Sequence, residues 1–86
     1  MATIQINRSQ IDYVVKTTVQ ALQHNTALHP MEAIIGLAET LGRTIAVQEG
    51  TFVVHKEMLR VAMEHVETTV KAAYSAGGKD PRAFNG

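Results

Sequence analysis

Cysteine and tryptophan are both missing from this chain, and aromatic residues of any kind make up only 5% of it. Without cysteine there is neither a disulfide scaffold nor a thiolate metal site, a composition that fits a reducing compartment. With so few rings to fill space, a core has to be assembled from Ile, Val, Leu, Met and Ala, within a hydrophobic content of 45%. Charge of one sign is lacking too: eight basic and eight acidic residues leave a formal net charge of zero. The basic residues are scattered from Arg8 to Arg82, whereas nucleic-acid binding generally concentrates them into one footprint. No apolar run approaches the roughly 18 residues that a membrane span requires, and no basic-then-apolar leader opens the chain. The expectation is a cytoplasmic protein with no membrane partner.

What is present is helical periodicity, strongest from Pro30 to Glu49. Proline suits a first helical turn, where its missing N–H is no loss, and Gly50 marks the end. Ile34, Leu37, Ala38, Leu41 and Ile45 form one apolar stripe, with Ile35 and Val47 widening it, more surface than one partner helix covers. Ala38, Gly42 and Ala46 stand four apart and leave a shallow groove for a second backbone. Two internal glycines, Gly36 and Gly42, each cost about 1 kcal/mol against alanine, so close packing at one or both is expected. Glu39 and Arg43 are spaced for an i,i+4 pair.

Ahead of this segment Ile4 and Ile6 alternate with polar residues in a short extended arm, residues 1–8. Asn7 or Ser9 then caps a first helix over 9–24, with Ser9 and Asp12 approximating a capping box. Its stripe is Ile11, Val14, Val15, Thr18, Val19 and Leu22, and Leu28 anchors the following loop. Thr51 is a competent N-cap for a third helix over 51–76, although the β-branched TFVVH also has strand character. Leu59, Ala62, Met63, Val66, Val70, Ala73 and Tyr74 form its stripe, Glu67 and Lys71 are placed to pair, and Gly77-Gly78 terminate it. Residues 77–86 have the composition of a flexible tail, with Phe84 free to dock.

The expected fold is therefore all-α, a three-helix antiparallel bundle with an elongated third helix over residues 9–76. Helices of roughly 24, 30 and 38 Å cannot all match at 1.5 Å per residue, so part of the longest stripe is left uncovered. An exposed patch of that kind usually marks a partner site, and a twofold homodimer covers it most economically. The candidate self-association residues are Ala38, Gly42, Ala46, Val66, Val70, Ala73 and Tyr74.

Chemistry is harder to find. His24 and His29 flank a loop, His55 and His65 point about 80° apart on one helix, and no ligand spacing joins them. No metal or cofactor is implied. Gly77-Gly78-Lys79 has a phosphate-loop look, but it follows a helix instead of opening one. The leading expectation is a non-enzymatic, self-associating protein that binds another macromolecule as a regulator, inhibitor or assembly factor. Two rivals remain. A dimer gathering Arg43, Lys56 and Arg60 would bind nucleic acid, and a helical enzyme would bring two histidines and a carboxylate into an intersubunit cleft.

From Val15 to Leu41, the succession of a Leu-ended helix, a short polar loop holding Leu28 and the run IIGLAETL (Ile34 to Leu41) resembles the small dimeric helical regulators of enterobacteria linked to biofilm and acid stress. The longer third helix departs from their pattern. Size and lack of motifs are similar to those of uncharacterised accessory proteins of prophages. The first resemblance implies a dimer with a regulatory role, and neither transfers a role to any residue.

Overall fold

A computed structural model describes residues 6 to 79. Most of the expected arm, Ile4 included, and the tail with Phe84 lie outside the described residues. Within them the fold is all-α: α1 spans Arg8–Gln23, α2 Pro30–Ala46 and α3 Phe52–Ala76, with no strand. No helix among the described residues is long and apolar enough to cross a membrane.

The helix ends follow from local chemistry. Asn7, in extended geometry, opens α1: its side chain accepts from the Ser9 N–H at 2.9 Å and from the Ser9 hydroxyl at 2.7 Å. Ser9 thus lies inside the helix, and Asp12, instead of completing a capping box, pairs with Arg8 at 2.9 Å. The loop after α1 is folded on Asn25, whose side chain takes the Ala27 N–H, and Leu28 is half-buried as an anchor.

α2 stops at Ala46, three residues short of the expected Glu49. Its last turn is closed by side chains: Thr44 donates to the Thr40 carbonyl at 2.7 Å and Gln48 Nε2 to the Thr44 carbonyl at 2.8 Å. The chain then reverses through Gly50, whose φ of 134° is a conformation that side chains with a Cβ rarely adopt. Thr51 caps α3 rather than belonging to it, accepting the Val54 N–H, so the TFVVH segment is helical from Phe52.

At the far end of α3, Gly78 takes a left-handed φ of 79°. Its N–H donates to the Ser75 carbonyl, and the Lys79 N–H to the Tyr74 carbonyl at 2.8 Å. This paired pattern is a Schellman cap, and Gly77-Gly78-Lys79 is a helix stop. Lys79 closes it further by placing its ammonium 5.4 Å from the Tyr74 ring centre.

The chain divides into two compact units, Met1–Ala38 and Glu39–Gly86, with the division inside α2. In the first, Ile11, Thr18, Leu22, Leu28 and Ala33 are half-buried, while Val14, Val15 and Val19 of the expected stripe stay exposed. In the second, Leu41 and Ile45 of α2 and His55, Met58, Ala62, Val70 and Tyr74 of α3 are half-buried. No described residue is fully buried.

Close packing at the helical glycines is not found among the described residues. Among the described residues, a Cβ built on Gly36 or Gly42 meets nothing within 4 Å, so neither glycine is required by a close neighbour there. Glu39 and Arg43 form no ion pair among the described residues, whereas the expected Glu67–Lys71 pair is made at 3.0 Å.

Candidate functional site

The second unit carries an open groove of about 440 Å³ between the end of α2 and the start of α3. Gly42, Ile45 and Ala46 line one side; Phe52, His55, Lys56 and Leu59 line the other. The groove exists because the α2–α3 reversal is held tightly. The His55 ring nitrogen Nε2 lies 2.7 Å from the Gln48 carbonyl oxygen, tying the first turn of α3 to the loop, and Gly50 packs against the Val54 side chain. The small residues at 42 and 46 keep the α2 wall low, and among the described residues nothing lies within 4 Å of a Cβ built on Gly42.

At the groove and beyond it, α3 presents apolar side chains that the described residues leave largely exposed. Phe52 is 79% exposed, Leu59 48%, Met63 55% and Val66 48%. The inward line of α3 runs instead through His55, Met58 and Ala62. The stripe expected from the sequence is thus split: Ala62, Val70 and Tyr74 are half-buried, while Leu59, Met63, Val66 and Ala73 are exposed.

Of the self-association candidates, the structure brings Gly42 and Ala46 together at the groove and leaves Val66 and Ala73 on the open face of α3. Ala38 belongs to the first unit and is exposed. Phe52 and Lys56 were not among those candidates. The available signal was Phe52 standing one heptad before Leu59.

The polar side of α3 is organised around Arg60. Its Nε and Nη2 donate to the two oxygens of Glu57, and Nη1 donates to Glu64 at 2.6 Å. The hydrogen bond from Arg60, with its charge, holds the Glu57 carboxyl below the usual range against a smaller opposing desolvation. The same contacts push the Arg60 guanidinium further up. Beside them, Arg60, Met63, Glu64, Val66 and Glu67 line a second depression. Of the three basic residues considered for nucleic acid, Arg60 is therefore engaged by two carboxylates, Lys56 lines the apolar groove and Arg43 lies in the last turn of α2.

No family model matches the chain, and neither a characterised relative nor a solved structure is similar to it.

Two of the histidine rings, those of His29 and His55, meet backbone groups. His24 ends α1, His29 Nδ1 accepts the Met31 N–H at 3.0 Å, and His55 meets Gln48 as described. His65 is exposed on α3, where its carbonyl accepts from Thr69. Among the described residues, no three His, Asp or Glu side chains come together as a metal-binding group.

Proposed function

We propose that this protein works by association: copies of the chain join through α2 and α3, and the assembly binds another macromolecule as a regulator, inhibitor or assembly factor without catalysing a reaction. One observation carries the reading. A chain with 45% hydrophobic residues buries none of those described, and leaves Phe52, Leu59, Met63 and Val66 in water. Burial of apolar surface is the main force that offsets the entropy of ordering a chain, so a lone subunit lacks the interior that would hold it. The space beside Gly42 supports the same reading, since a glycine inside a helix costs propensity that close approach of another backbone can offset. The regulatory role is the one implied by the resemblance of the Val15–Leu41 stretch.

The test is the mass of the particle by light scattering across a concentration series. The reading expects at least twice the 9.4 kDa of the chain, with helicity falling together with mass on dilution. A 9.4 kDa particle of full helicity at every concentration would remove it.

A further inference from the structure

We propose that the second copy seats antiparallel on α3, its own α3 running across the open face so that Leu59 meets Val70 of the other copy and Met63 meets Val66. The proposal rests on the self-association reading and specifies its geometry.

The first support is periodicity. Phe52, Leu59, Met63, Val66, Val70 and Ala73 follow the alternating spacing of four and three that forms a two-helix seam. Lys56 takes the one polar position in the series, where its stem can lie along the groove and its ammonium reach water. The inward residues His55, Met58 and Ala62 flank one side of the seam.

The second support is charge. The other flank carries the exposed Val53, Arg60 and Glu67 and the half-buried Tyr74 in successive heptads. In an antiparallel pair, residues of this flank face one another, and the register that sets Leu59 on Val70 also sets Arg60 beside Glu67 of the other copy and Val53 beside Tyr74. Each pairing occurs twice, once in each direction, as a twofold axis requires. In a parallel pair, flanking positions instead face the opposite flank, here His55, Ala62 and Thr69, and both ion pairs are lost. Arg60 uses three of its five N–H groups on Glu57 and Glu64, so donors remain for a third carboxylate.

The third support is the shape of the face. The axis passes between Met63 and Val66, inside the depression that these residues line with Arg60 and Glu67. The end of the second copy's α3, with Val70 and Ala73, then enters the groove floored by Gly42 and Ala46.

Because the chain has no cysteine, introduced thiols report the register directly. Full-length Leu59→Cys and Val70→Cys are oxidised mildly, alone and mixed, with Lys56→Cys and Ala73→Cys as a second pair of variants. Circular dichroism and mass are measured on the reduced forms. The mixtures are expected to form covalent dimers at least about tenfold faster than any variant alone. Two copies of position 59 lie eleven residues apart in this register, roughly 16 Å, beyond disulfide reach. Rapid cross-linking of Leu59→Cys by itself would overturn the proposal in favour of parallel pairing. A dimer by mass with no cross-link from either mixture would overturn the register and leave self-association standing. A monomeric mass would remove both.

Discussion

The Glu32 carboxylate reaches back 2.9 Å to the backbone N–H of His29, while the His29 ring accepts the N–H of Met31 at 3.0 Å. The two side chains close a reciprocal capping box around Pro30, satisfying donors that a helix start otherwise leaves open. Replacing Glu32 by Ala is expected to destabilise the protein by about 1 kcal/mol, whereas Glu32→Gln, which keeps the acceptor, costs less. Urea unfolding followed by circular dichroism distinguishes the two.

Acid should loosen α3 through Glu57. Its folded value is held below the ordinary one, first by the hydrogen bond from Arg60. Its contribution is therefore fully present above the unfolded-chain value and lost as pH falls through the lowered folded value. Both residues are exposed, so added salt weakens the effect. A carboxyl-carbon NMR titration is expected to place Glu57 below an unpaired glutamate, and Arg60→Gln to return it to the ordinary range.

Gly50 and Gly36 are expected to respond oppositely to alanine. A Cβ at Gly50 meets the Val54 side chain at 3.2 Å and forces a side chain into φ 134°, so Gly50→Ala should destabilise by about 1 kcal/mol or more. A Cβ at Gly36 has no described neighbour within 4 Å, and Gly36→Ala should gain up to about 1 kcal/mol from helix propensity. Thermal melts of both variants at one protein concentration check the pair.

Gly42→Leu separates the chain from its assembly. No described residue obstructs a Cβ at this position, so helix formation in α2 should survive. A bulky group on the groove floor would obstruct a seated second copy, raising the dimer dissociation constant about tenfold or more, as overpacking of 1–3 kcal/mol predicts. Sedimentation equilibrium reads this, and an unchanged constant would place the second copy elsewhere.

Much of the helical skeleton was legible because its signals are local. Asn7 and Thr51 are good caps wherever they precede a helical run, and Gly77-Gly78 stop one because left-handed backbone is cheap for glycine. The His29–Glu32 box was missed because histidine is not among the usual capping residues, though Pro30 and Glu32 stood at the right positions after it. The early end of α2 was missed because Gln48 continues the helical pattern while its side chain turns back to bond the Thr44 carbonyl.

By itself the sequence determined an all-α chain of three helices, their approximate lengths, and apolar stripes wider than their own partners cover. Those properties depend on spacing and on contacts a few residues apart. Which part of each stripe turns inward was decided by the tertiary structure alone. One residue along a helix is a rotation of about 100°, and the reversal held by Gly50, Gln48 and His55 aims α3 so that Met58 and Ala62 face inward while Leu59, Met63 and Val66 remain in water.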